Sequence, residues 1–138
     1  AGIIRFAELL LIEAEANIEW DGGDLAIAEA NINRVRARVN MPPVTDRSRE
    51  GLRKALRYER KAELCNEGFR WFDIRRWKIG AETTKVYGLT ITPQNDGSFS
   101  YVRSVIQQRG WDDRMNYYPI ADAELFKNHN LVQNDGWK

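Results

Sequence analysis

Cysteine and histidine are nearly absent: this chain of 138 residues holds one of each. Cys65 and His129 lie far apart in sequence, so they cannot assemble a zinc-type cluster by themselves. A single cysteine also excludes an internal disulfide framework. There is no glycine-rich phosphate loop and no G-x-S-x-G elbow, and no serine stands with the histidine in a recognisable catalytic frame. Long apolar runs are missing too. Ile3 to Ile12 is apolar but is interrupted by Arg5 and Glu8, and it is too short to span a bilayer. Excess charge of one sign is lacking: the net charge is +1, which removes any global electrostatic argument for nucleic acid or an anionic membrane. No targeting segment and no initiator Met stand at the start, and a helical pattern begins almost at once without a capping residue. These features predict a fragment cut close to the start of a helix.

What is present, 43% hydrophobic and 30% charged residues, is the composition of a globular chain with a core of its own. Ile3 to about Glu19 reads as a helix. Ile4, Phe6, Ala7, Leu10, Leu11, Ala14 and Ile18 are apolar, and Leu9, Ile12 and Ala16 extend the apolar surface to other faces. Such a helix needs cover on most sides. Asp21-Gly22-Gly23-Asp24 is a turn, with Asp24 placed to cap the next helix, Leu25 to about Val39. That helix sets Ala28, Ile32, Val35 and Val39 on one face. Two antiparallel helices over about 34 residues have the dimensions of a tetratricopeptide-type hairpin. Asn40 and the prolines after it end the hairpin, and Asp46 or Ser48 opens a third helix to about Asn66. A short fourth helix is expected from about Arg70 to Lys78.

From Gly80 the composition changes. Val86–Thr92 and Phe99–Val105 are β-branched and aromatic, and Pro93–Gly97 between them is a turn, so a β-hairpin or two loosely paired extended segments is expected. Trp111 to Asn116 reads as loop. A short helical turn starts at Asp122 or Ala123, and the closing Trp137 is expected to anchor the tail. The fold class is therefore mainly α: a tetratricopeptide-like helical hairpin plus further helices, with a small β-hairpin and long loops. The domain expectation is a single unit, 1–138, with a helical part at 1–79 and loop, hairpin and docked tail at 80–138.

The densest stretch is Arg57 to Trp77, where cations, acids and large rings interleave. Ala55, Tyr58, Ala62, Cys65 and Phe69 follow a helical stripe, which predicts Cys65 as a small buried hydrophobe. Glu59, Glu63 and Glu67 form an acidic row at four-residue spacing, which costs an isolated helix roughly 0.2–0.5 kcal/mol per pair. Arg70, Arg75 and Arg76, just past Gly68, are the expected counter-charges, with Trp71, Phe72 and Trp77 sealing the network from water. Carboxylates beside tryptophans also suit a glycosidase. Arginines, however, lower carboxylate pKa values, and a general acid needs its own raised. No catalytic residue, cofactor or metal is expected. The basic run Arg47 to Lys61 is interleaved with acids and is read as a solvated face, so no nucleic-acid partner is expected. Tyr87, Tyr101 and Trp111 lie in the less regular region where ligand contacts concentrate, and are the candidates for stacking on a sugar ring. Covering the helical core is their other reading.

Within the same stretch, Glu59, Arg60, Glu63, Leu64, Glu67, Gly68, Arg70, Trp71, Asp73, Arg75, Arg76 and Trp77 give E-R-x-x-E-L-x-x-E-G-x-R-W-x-D-x-R-R-W. This resembles the signature of the RagB/SusD family. The opening hairpin and the ending YYPIADAEL…NLVQNDGW are similar to the family's flanking motifs, with Ala121, His129 and Asp135 standing where the family often has proline. The resemblance implies the C-terminal portion of a longer surface lipoprotein of the outer membrane. Such a protein binds glycans or other nutrients without catalysis and delivers them to a SusC-like TonB-dependent transporter. It implies a membrane link only through an N-terminal lipid anchor outside this chain, so Cys65 is not the lipid-bearing cysteine. The signature residues would be scaffold, with no binding residue carried over from the family. The alternative reading is a helical-repeat module that docks a protein partner and binds no small ligand.

Overall fold

A computed structural model describes residues 4–137. The chain divides into two compact units, Ala1–Arg70 and Trp71–Lys138. The first is helical, with α1 at Phe6–Glu19, α2 at Leu25–Ala37 and α3 at Arg49–Glu63; the boundary falls within the first turn of α4, Phe69–Arg76. The second unit continues with a 3₁₀ turn at Gly80–Thr83, strands β1 (Lys85–Pro93) and β2 (Phe99–Gln108), a 3₁₀ turn at Asp113–Asn116, and α5 at Asp122–Lys127.

Local chemistry sets the helix ends of the first unit. The α1 helix begins later than the apolar pattern suggests: Ile4 and Arg5 precede it, Arg5 provides no side-chain cap, and Ile3 lies outside the described residues. Asp24 caps α2 by accepting from the Ala26 N–H at 2.8 Å. Of the two candidate caps for α3, Ser48 is the one used. Its hydroxyl accepts from the Gly51 N–H at 3.0 Å, while Asp46 accepts from the Ser48 N–H and O–H. Asn40 takes the left-handed conformation, φ 55°, that closes the hairpin. Asn31 donates to Glu13, and the Asp24 N–H donates to Asn17, so α1 and α2 run antiparallel as the hairpin reading requires.

One three-helix core fills this unit. Leu10, Leu11, Ala14 and Ile18 of α1 meet Ala28, Ile32 and Val35 of α2 and Leu52 and Leu56 of α3. Burying each larger side chain is worth about 1.5–3 kcal/mol. The α1 and α2 faces are those expected from periodicity, except that α2 ends at Ala37 and Val39 is exposed beyond it. Leu9 and Ile12 of α1 remain exposed.

The α3 stripe is a correction. The buried face is Gly51, Leu52, Leu56, Glu59 and Arg60, one residue around from the expected Ala55–Tyr58–Ala62–Cys65–Phe69 line. Tyr58 is 63% exposed and Cys65 is exposed. The helix stops at Glu63, and Asn66 (φ 65°) and Gly68 (φ 85°) turn the chain, so Cys65 and Phe69 no longer continue any α3 face.

In the second unit β1 and β2 form a two-stranded antiparallel sheet, with a register irregularity between Val86 and Tyr87. The turn is closed by Gln94 donating to Ser98 and by Gly97 at φ 81°. Pairs Tyr87–Val105, Leu89–Arg103, Ile91–Tyr101 and Pro93–Phe99 share one face. The tail is docked as expected. Trp137 Nε1 donates to the carbonyls of Arg114 and Tyr117 at 2.9 and 3.1 Å, and the Arg114 guanidinium lies over the Trp137 ring. The side chain of Gln133 bridges both backbone groups of Ile120, which fixes the tail against the segment leading into α5.

Candidate functional site

The acidic row is a set of ion pairs, met by cations from earlier in the chain. Glu59, nearly buried on α3, receives a hydrogen bond from Arg36 of α2, whose Nε also donates to the Pro42 carbonyl at 2.7 Å. Glu63 pairs with Arg38 at 2.6 Å and with Arg5 at 2.9 Å. Arg5 also reaches Glu67 at 2.7 Å and the Glu63 carbonyl at 2.8 Å. Hydrogen bonds donated to Glu67 first, then to Glu63, hold the Arg5 guanidinium above its ordinary pKa. Arg60, also buried, approaches Glu15 of α1 at 4.0 Å and sits over the Phe69 ring. The row thus ties α3 to α2 and to the segment leading into α1. A second tie, Arg53 to Glu19 through two bonds of 2.8 and 2.9 Å, holds the other end of α3 and lowers the Glu19 pKa.

Two of the expected downstream cations, Arg75 and Arg76, contact residues of their own helix, α4. Arg75 lies on the Trp71 ring, 3.4 Å from its centroid, and donates to the Trp71 carbonyl. Arg76 bonds Asp73, which is 2% exposed, and covers the Trp77 ring. Arg70 is half-buried at the end of the first unit. The expected aromatic seal is also corrected: Trp71 is 51% and Phe72 62% exposed, and Trp77 is half-buried. An exposed ring cannot exclude water from an ion pair. Gly68, with its left-handed φ and open space where a Cβ would stand, turns the chain between α3 and α4.

The three aromatic candidates do not converge. Tyr87 and Tyr101 share a hairpin face but sit four residues apart in register, about 13 Å along the strand. Tyr87 is covered by the Arg103 guanidinium, 4.0 Å from its centroid. Trp111 instead joins Trp71 around a hollow of about 250 Å³ in the second unit, lined also by Arg75, Gly80, Thr83, Thr84 and Arg109. The Trp111 indole lies flat against Gly80, where any Cβ would collide with it. Trp71 Nε1 donates to the Tyr118 hydroxyl. The Arg75 guanidinium therefore stands among three rings, those of Trp71, Trp111 and Tyr118. A larger depression of about 430 Å³ mixes Asp112, Asp113 and Asp135 with Lys78 and Arg114. Among the described residues no group of three or more His, Cys, Asp or Glu side chains is placed to hold a metal ion, and no helix is long and apolar enough to cross a membrane.

Sequence reasoning missed Arg5, Arg36 and Arg38 as the partners of the acidic row, and Arg75 and Arg109 as lining of the hollow. Arginines at 34, 36 and 38 were the available signal for the first group, since one face of α2 is apolar and a cation beside it must find an acid or water. No local signal brings Trp71 and Trp111 together.

The SusD family model covers residues 2–137, and the chain belongs to the SusD family. SusD-like protein P2 of Formosa agariphila is 34% identical over 139 residues, covering 96% of this chain and 25% of that protein. The crystal structure of a SusD-like protein from Bacteroides fragilis superposes with a TM-score of 0.79 at 34% identity, covering 98% of this chain and 25% of that one. The chain thus spans about a quarter of the length of both relatives. The mainly helical fold with its antiparallel hairpin is the SusD-like fold, and the family is one of non-catalytic binding proteins.

Proposed function

We propose that the protein containing this chain binds glycans or other nutrients, without catalysis, at the outer-membrane surface, and delivers them to a SusC-like TonB-dependent transporter. It would be held there as a lipoprotein through an anchor outside these residues. The observation that carries this reading is family membership across residues 2–137. The signature block adds support: Glu59, Glu63 and Glu67 are all engaged by arginines, and arginine-paired carboxylates suit a frame better than acid–base work. The chain is then mostly scaffold, with Arg60, Asp73, Arg76 and Trp77 joining the acids in holding the helices. Retention of the intact protein on a panel of immobilised glycans tests the reading. Retention on at least one glycan, unchanged by Glu63→Gln in folded protein, is the expected result. No retention on any would overturn the assignment of glycans as cargo.

A further inference from the structure

The hollow in the second unit has a composition that scaffold alone does not require. Two arginines line it, and among the described residues no acid does. Arg75 is held in place by stacking on Trp71 and by its bond to the Trp71 carbonyl, yet its Nε is buried with no hydrogen-bond partner among the described residues. A buried guanidinium N–H without an acceptor costs free energy, so Arg75 is one acceptor short. Arg109 is exposed; its backbone N–H is fixed by the Thr84 carbonyl at 2.8 Å, which sets the side chain at the rim. The hydroxyls of Thr83 and Thr84 donate to backbone carbonyls, so toward any ligand they present acceptor oxygens. The walls carry two indoles, which suit the apolar face of a pyranose. A volume of about 250 Å³ lies just below the range for drug-sized ligands and suits one ring.

We propose that this hollow is a subsite for a single anionic sugar ring, a pyranose bearing a carboxylate or a sulfate. Trp111 and Trp71 form its walls, and Arg75 and Arg109 hold the anion. Guanidinium forks match both oxyanions through paired N–H bonds, and among the described residues that line the hollow no carboxylate competes for them. A neutral sugar would satisfy the walls but leave the two cations uncompensated. The inference rests on the glycan-binding reading and adds a ligand class and a place to it.

The test is calorimetric titration of the intact protein with three trisaccharides: trigalacturonate, a sulfated galactotriose and neutral galactotriose. At least one anionic probe should bind tenfold or more tightly than the neutral one. Arg109→Ala should weaken that probe about tenfold and leave neutral binding within twofold, and Arg109→Lys should restore part of the loss. Arg103→Ala, which removes an arginine of the hairpin outside the hollow, should change nothing. Preference for the uronate over the sulfate, or the reverse, identifies the anion and supports the proposal. Equal binding of anionic and neutral probes, an unaffected Arg109→Ala protein, or equal losses in Arg103→Ala and Arg109→Ala would overturn the subsite while leaving glycan binding intact. Failure to bind any glycan, on these probes and the wider panel, would overturn both.

Discussion

Glu59→Gln is the substitution that most sharply separates a structural ion pair from surface decoration. The Glu59 and Arg36 side chains are 9% and 14% exposed, and their bond joins α3 to α2 beside the core residues Leu56 and Ile32. Glutamine keeps the shape and removes the charge, so the Arg36 guanidinium is left partly buried with only the Pro42 carbonyl and weaker contacts. Removing one partner of a buried pair costs about 3–5 kcal/mol, because the remaining charge stays desolvated. Glutamine can still accept one hydrogen bond, so about 3 kcal/mol is the expected loss. With a urea dependence of about 1–3 kcal/mol per molar, the unfolding midpoint followed by circular dichroism should fall by at least about 1 M. The double substitution Arg36→Met with Glu59→Leu should recover most of the loss, since a well-packed apolar pair is often as stable as the ion pair it replaces. A Glu59→Gln loss below about 0.5 kcal/mol, the range of exposed pairs, would refute the claim that this contact locks the helices.

Further outcomes follow from the same contacts. Leu56→Ala, which empties a site 1% exposed in the three-helix core, should cost about 2–5 kcal/mol by the same unfolding measurement. Ser48→Ala removes the acceptor for the Gly51 N–H and should cost about 1 kcal/mol, with Ser48→Asp close to neutral. Gly68→Ala meets no steric obstacle but must adopt φ 85°, and should cost about 1 kcal/mol from backbone strain alone. The Arg53 hydrogen bonds depress the Glu19 pKa in the folded chain, so their stabilisation is complete above the unfolded-chain value of about 4.3 and is lost as pH falls through the lower, folded value. Unfolding midpoints from pH 6 down to 2 should therefore drop less steeply in Glu19→Gln than in the wild type.

The parts of this fold that could be read from sequence are those decided within a few residues. Asp24 and Ser48 cap helices because their side chains reach N–H groups two and three positions ahead, and Asn40 and Gly68 turn because they tolerate positive φ. The faces of α1 and α2 followed from periodicity because their apolar residues are numerous. The α3 face did not. Tyr58 looks apolar but carries a hydroxyl and sits in water, whereas Glu59 and Arg60 look polar and are buried by virtue of their partners. Pairing decides such burial, and pairing is tertiary. The same limit explains the acidic row: its spacing showed that cations were needed, and only the packing of α1 and α2 against α3 shows which ones arrive. Trp111 could be named as a candidate because it lies outside regular structure, but its meeting with Trp71 depends on the 3₁₀ turn at Gly80–Thr83 and on a glycine that lets the indole lie flat.

Division of labour between frame and cargo site is the claim on which the account turns, and glycan affinity of the intact protein carrying Glu63→Gln measures it most directly. Glu63 is held by Arg5 and Arg38, so the substitution should lower the unfolding midpoint while the dissociation constant of the folded protein stays within about twofold of wild type. A tenfold or greater loss of affinity with no change in stability would mean that the acidic row meets the ligand itself.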